Sequence, residues 1–371
     1  MPKKIVYILS EINRSVAFEW VVKNLDQRKI TLSFILINCT NSHIEKFLKE
    51  EGINTQSLSF KSKWGIPISI LKVVFMLWKT RPQIVHTHLR DASLIGQIAA
   101  WITRIEKRIY TRHHSTFHQK YFPKAVWLDR LNNYLATNIV AISGVVQKAI
   151  LYEGGNPKKI TKAYYGFDFS DFGNVTDSRI NLLRAKYAIR EGAYPIIGVI
   201  SRYINWKGHQ YMLPAFKEVL RAHPNSLLII ANASGSYRNE IKEILADIPK
   251  ENLLEISFEK DLFALYKLFD VFVHCPVDES IEAFGQVYIE ALAAKIPSVF
   301  TLSGIANEFV IDGENGLVVP HQKTSEIANA IMSLLENETL RQKLIKNGVE
   351  SVKQFSVLRF INELEILYKI K

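Results

Sequence analysis

Cysteine is scarce in this chain of 371 residues: Cys39 and Cys275 are the only two, far apart and with no partners at metal-ligand spacing. A disulfide scaffold or a zinc finger therefore has nothing to stand on, and both thiols read as inert in a reducing cytoplasm. Long apolar runs are missing too. Lys72 interrupts the stretch 66–78, and no segment reaches the roughly 18 residues of a spanning helix, so the chain is not expected to be integral to a membrane. The run 5–9 behind Lys3 and Lys4 stops at Ser10 and Glu11 without a small-residue cleavage site, and reads as a first strand and not a signal peptide. With 17 glycines and 12 prolines, the composition excludes collagen-like and low-complexity classes. A hydrophobic fraction of 48% describes an ordinary folded protein, long enough for two domains.

Acidic residues are under-represented in one half only. Residues 1–172 hold 25 Lys and Arg against 12 Asp and Glu, whereas the remainder is nearly neutral and the whole chain carries +11. No DNA or RNA module and no dense basic run accompanies that charge, so nucleic acid is not expected as a partner. An anionic membrane surface or a phosphate-bearing partner of the N-terminal half fits the asymmetry, as do scattered surface lysines without function.

Short β-branched runs recur at 5–9, 32–37, 84–86, 108–110 and 139–142, with helix-period segments between most of them. A second series follows at 196–200, 227–230, 253–256, 271–273, 298–300 and 317–319. Strands so continuously apolar belong to parallel sheets covered on both faces, so the fold class is α/β, with two doubly wound Rossmann-like domains. Residues 1–172 form the first, 173–194 a linker and 195–356 the second, with a C-terminal helix over 357–371 expected to pack back on the first. In such sheets ligands bind at the carboxyl ends of strands, and two domains facing across a cleft line it with those loops.

Two constellations carry chemistry. Glu282-Ala-Phe-Gly-Gln-Val-Tyr-Ile-Glu290 follows the strand 271–273 and its loop. Gly285 permits close backbone approach before a run of helix formers, whose free N–H groups favour an anion, while carboxylates at 282 and 290 suit sugar or ribose hydroxyls. Two solvated glutamates around a buried helix would be the plain alternative. Ser201-Arg202-Tyr-Ile-Asn-Trp-Lys207-Gly208 directly follows the strand 196–200 and offers two cations to phosphate oxygens. An exposed basic loop would look the same.

Together these stretches resemble the retaining glycosyltransferases of family 4, the glycosyl transferases group 1, which have the GT-B fold. The resemblance runs almost end to end and includes Glu290-Ala-Leu-Ala-Ala-Lys-Ile-Pro297, Asp312-Gly313-Glu-Asn315-Gly316, Ala141-Ile-Ser143 and Gly166-Phe-Asp168. It implies a hexosyltransferase that takes a UDP- or GDP-sugar as donor and needs no cofactor and no metal. Arg202 and Lys207 would hold the donor diphosphate, Glu290 the ribose, and Glu282 with the backbone of Phe284, Gly285 and Gln286 the donor sugar. Thr111-Arg-His113 resembles the family's T-x-H, whose histidine lies near the donor sugar. That makes His113 the choice from the N-terminal half, with His114 as the fallback.

The chain departs from the family pattern in its glycine loops. Asn13-Arg14-Ser15-Val16 replaces a Gly-Gly turn, with Arg14 as a compensating charge, Asn232-Ala-Ser-Gly235-Ser replaces a Gly-rich turn, and Glu259 replaces a glycine of the nucleobase loop. On the acceptor or membrane side the candidates are Arg14, His88, His114, Lys61, Lys63 and Lys72. The helix over 67–79 is apolar nearly all round, with Ser69, Lys72 and Lys79 as its polar stripe, which makes it either core or a lipid contact. Tyr121, Phe122, Lys124 and Trp127 read as a second aromatic and basic contact, or as an acceptor-site wall. The acceptor is then a saccharide or lipid-linked saccharide in lipopolysaccharide, capsule or other surface-glycan assembly, at the inner face of the cell membrane. A nucleotide-sugar epimerase, or a non-catalytic nucleotide-sugar-binding protein, are the alternatives.

Overall fold

The computed structural model describes residues 2–62 and 64–369 and forms two compact units. One contains the chain up to Phe167 together with the chain from Phe355 onward, and the other is Asp168–Gln354.

The first unit is built on seven strands: β1 (Lys3–Ser10), β2 (Ile30–Ile37), β3 (Asn54–Leu58), β4 (Ile84–His88), β5 (Lys107–Arg112), β6 (Asn138–Ala141) and β7 (Ile160–Lys162). Their order is β3-β2-β1-β4-β5-β6-β7, and every pairing is parallel. Parallel neighbours need a crossover, and the helices between the strands supply it on both faces of the sheet. One face is closed by a core that includes Ile5, Tyr7, Phe34 and the helix Val357–Leu367, so the C-terminal helix is part of this unit's interior. The other face packs against the helices Gly65–Thr80 and Arg90–Ile102 through Val73, Leu77, Ile95 and Ala99.

The second unit carries β8 (Ile196–Ile200), β9 (Leu227–Ala231), β10 (Leu253–Ile256), β11 (Val271–His274), β12 (Ser298–Phe300) and β13 (Leu317–Val318), ordered β10-β9-β8-β11-β12-β13 and again parallel. Its core joins Ile197, Leu228 and Val273 to Phe216 of the helix His209–Ala222 and Ile331 of the helix Thr324–Glu336. In each sheet the order reverses at the first strand, between β1 and β4 and between β8 and β11. Chains leaving those two strands diverge to opposite faces and open a crevice at their carboxyl ends.

The segment expected as a linker is helical at Asp177–Lys186 and fastened to the second unit, because Arg179 donates to both Asp261 oxygens at 2.9 and 2.6 Å and Lys186 reaches Glu259 at 2.7 Å. In the helix Gly65–Thr80 Lys72 and Lys79 of the expected polar stripe are exposed, but Ser69 is not part of it. Ser69 is buried and donates to the Gly65 carbonyl at 2.8 Å, whereas Ile68, Leu71, Phe75 and Trp78 face outward.

Candidate active site

In the C-terminal unit Lys207 and Glu282 come together because β8 and β11 are hydrogen-bonded neighbours, with Val271 opposite Ile197. The loops leaving their ends run side by side, joined where Val277 N–H donates to the Trp206 carbonyl at 3.0 Å. Gly208 makes that approach possible. Its φ is +78°, and a Cβ there would lie 1.8 Å from the Cys275 carbonyl oxygen, so no other residue fits the turn that ends in Lys207.

Lys207 Nζ lies 2.5 Å from Glu282 Oε1, and His274 Nε2 is 3.3 Å from the same oxygen. Burial pushes the Glu282 carboxyl up, but the Lys207 charge and the His274 contact outweigh it and hold the group below the usual carboxylate range. Burial in turn pushes the His274 imidazole down, against the opposing pull of the Glu282 carboxylate. The Glu282 loop is braced from behind by the turn after β12. Ser303 Oγ accepts from the Glu282 N–H at 3.2 Å and Ile305 N–H donates to the Phe284 carbonyl at 2.8 Å. Gly304 at φ +58° leaves room that a Cβ, 2.6 Å from the Phe284 oxygen, would take.

Gly285, at φ +85°, opens the helix Gln286–Ala293, whose first turn has no side-chain cap. Its leading N–H groups are those a helix cannot satisfy internally and offers to an anion. Phe284 is buried and Gln286 exposed. Glu290, half-buried, accepts from Tyr266 Oη at 2.8 Å, and burial raises its carboxyl pKa despite that bond. Arg202 is exposed, and among the described residues its guanidinium has no ion pair or hydrogen bond, which leaves its five donors for a ligand.

The N-terminal unit gathers its histidines at the carboxyl ends of β4 and β5. His88 Nδ1 is 3.1 Å from His113 Nε2, and His113 Nδ1 meets Tyr165 Oη. His86 bridges Tyr368 Oη at 2.7 Å and Thr111 Oγ1 at 2.6 Å, tying the C-terminal helix to this row. Burial lowers the pKa of His86, His88 and His113, so all three are neutral imidazoles near pH 7. His114 turns away from this row, to Asp129. Arg14 bonds Glu19 at 3.3 Å, which partly cancels its charge. Lys61 and Lys72 are exposed, and Lys63 lies outside the described residues.

His274, Ser303 and Gly304 escaped the sequence reading. His274 is the last residue of an apolar strand and shows no motif. Ser303-Gly304 carried a usable signal, a serine and glycine shortly after a buried strand.

Glu259, in place of a family glycine, accepts from Lys186, from Tyr187 Oη at 2.5 Å and from the Asp261 N–H at 2.7 Å. It is a buttress for its own loop.

Residues 181–351 match the model of Glycosyl transferases group 1. The capsular polysaccharide biosynthesis glycosyltransferase CapM of Staphylococcus aureus is 30% identical over 307 residues, which are 81% of this chain and 80% of that protein. The alpha-monoglucosyldiacylglycerol synthase of Acholeplasma laidlawii is 23% identical over 353 residues, 86% of each. Among solved structures, HepE from Anabaena in complex with UDP and glucose superposes with a TM-score of 0.83 at 19% identity, covering 98% of this chain and 99% of that one. The chain belongs to the glycosyl transferases group 1, family 4 of the retaining glycosyltransferases, and has their GT-B fold.

Proposed function

We propose that the protein moves a hexose from a UDP- or GDP-sugar to a hydroxyl of a lipid-linked saccharide, at an anionic membrane surface, in surface-glycan assembly. The part-buried contact between Lys207 and Glu282 at adjacent strand ends carries the donor half of this reading. An ammonium has three donors and Glu282 takes one of them, so Lys207 can hold a phosphate oxygen while the carboxylate fixes its position. With Arg202 it would neutralise the departing diphosphate, the helix after Gly285 would face the same anion, and Glu282 would accept from a hydroxyl of the donor sugar. No protein nucleophile stands out among these residues. A front-face displacement, in which a donor phosphate oxygen takes the acceptor proton, asks only for this charge stabilisation. The HepE structure with UDP and glucose supports a uridine donor. Calorimetry with UDP, GDP and their sugars tests it: binding of one nucleotide family, lost in Lys207→Ala, is expected, and equal affinity in that variant contradicts the assignment.

The acceptor half rests on the helix Gly65–Thr80. Ile68, Leu71, Phe75 and Trp78 are 58, 67, 64 and 62% exposed and recur at helical spacing on one face. Trp64 lies just before it, and Lys61, Lys72, Lys79 and Arg81 are exposed around it. An apolar, tryptophan-bearing face rimmed by cations suits an anionic lipid surface, where each cation contributes about 1 kcal/mol. The names of two relatives, in capsular polysaccharide biosynthesis and in glucosyldiacylglycerol synthesis, fit such an acceptor. Among the described residues no helix is long and apolar enough to cross a membrane, so attachment would be peripheral. The protein should sediment with phosphatidylglycerol vesicles at low salt, less at high salt, and not after Leu71→Glu with Phe75→Glu. Equal sedimentation with neutral phosphatidylcholine vesicles at low salt refutes this half.

A further inference from the structure

The chain leaving β5 carries a second set of ligating side chains that the donor site does not use. His114 lies in the turn after β5, His118 in the helix Phe117–Tyr121 and Asp129 in the helix Val126–Leu135. Their donor atoms all fall within 4.8 Å of one another. His114 Nε2 is 3.1 Å from Asp129 Oδ1, and His118 Nδ1 is 2.7 Å from Oδ2. These are hydrogen bonds in which each imidazole N–H donates to the carboxylate; ligands of one tetrahedral ion at about 2.0–2.2 Å lie roughly 3.3–3.6 Å apart, so a slight spreading of this cluster makes room for a small divalent ion.

The surrounding charge points the same way. Arg112, with no exposed side-chain surface, is forked onto both oxygens of Glu153 at 2.8 Å, which matches its charge. Asp129 is then a second buried carboxylate, reached by Arg112 Nη2 only at 3.4 Å. That guanidinium stands where a partner orienting a ligating carboxylate belongs. One helical turn beyond Asp129, Asn132 is buried, and its side-chain oxygen has no partner among the described residues. A buried acceptor of this kind calls for a donor such as a water.

We propose that His114, His118 and Asp129 form a three-ligand site for a divalent transition metal of the zinc class, with a water in the fourth position on the side where His114 reaches solvent. Two imidazoles and a carboxylate are the nitrogen and oxygen donors that zinc takes. Each imidazole binds through the lone pair of the nitrogen that faces Asp129 and keeps its proton on the other ring nitrogen. The three ligands come from a turn and two separate helices, so the ion staples the turn after β5 to the helix Val126–Leu135. The exposed Phe122 and Trp127 lie on the stapled stretch. The ion has a structural role and takes no part in the departure of the diphosphate.

The test uses the full-length chain without a polyhistidine tag, stripped by chelator and titrated with zinc chloride against a chromophoric competitor. One equivalent should bind to the wild-type chain. His118→Ala should abolish binding, and His114→Ala should weaken it by more than the roughly 10–100-fold that loss of an outer partner costs. Zinc should also slow hydrogen exchange over residues 113–129 in the wild type and not in His114→Ala. His114 is partly exposed, so His114→Ala keeps the test decisive should His118→Ala fail to fold. No zinc binding by the wild type, or the same stoichiometry and affinity in His114→Ala, overturns the proposal and leaves a hydrogen-bonded His-Asp-His cluster.

Discussion

Replacing Lys207 by methionine keeps the length of the side chain and removes its charge. The Glu282 carboxylate is then left with His274 as its neighbour inside a site where the two side chains of the pair are 18 and 11% exposed. Breaking a buried pair from one side costs about 3–5 kcal/mol, and this residual exposure places Lys207→Met near the lower end. At about 2–4 °C per kcal/mol for a unit of this size, the C-terminal transition should fall by roughly 6–12 °C in a thermal scan. The sign of the pH dependence follows from Glu282. Its folded pKa lies below the unfolded value of about 4.3, so its contribution to stability is complete above that value and is lost as pH falls toward the folded pKa. In Lys207→Met burial prevails and raises the carboxyl, so the variant recovers stability as pH falls. The gap between wild type and variant should therefore narrow from pH 7 to pH 4. Turnover should drop by about 10²-fold or more, as for other preorganised charge stabilisers. Adding Glu282→Leu should restore much of the stability and none of the activity. An unchanged transition with unchanged turnover, or a gap constant across pH, would refute the reasoning.

Two further outcomes follow from the same loops. Glu282→Gln frees the Lys207 ammonium from its counter-charge, so calorimetry should show tighter nucleotide diphosphate binding while turnover falls; weaker binding would contradict the pairing described here. Gly208→Ala places a methyl group against the Cys275 carbonyl at a positive φ and should cost more than about 3 kcal/mol, the upper range of backbone strain, in the C-terminal unfolding transition. A native transition in that variant would mean the turn has room to relax.

Much of this architecture was legible in the chain, because buried parallel strands must be apolar on both faces. Runs such as 196–200 and 227–230 coincide with β8 and most of β9 for that reason. The edge strands β3, Asn-Thr-Gln-Ser-Leu, and β7, Ile-Thr-Lys, went unread, since an edge is partly solvated and carries no apolar run. The helix Gly65–Thr80 was read as apolar nearly all round, yet which of its faces turns outward depends on the sheet it covers. Charged residues at strand ends, Lys207 and Glu282, could be picked out because chemistry of that kind has few other reasons to sit there. Their contact could not, since it follows from β8 and β11 pairing across more than seventy intervening residues. His274 and the Ser303-Gly304 brace depend on the same long-range packing.

Transfer itself is the most direct measurement. Nucleotide sugars labelled in the sugar are incubated with the protein and anionic vesicles bearing a lipid-linked saccharide, and the extracted lipid is analysed by NMR. The expected result is label in the lipid fraction, in the anomeric configuration of the donor, from wild type and not from Lys207→Ala. Label that remains on the nucleotide, as an epimerised sugar or as tightly bound unreacted donor, would contradict the proposed function.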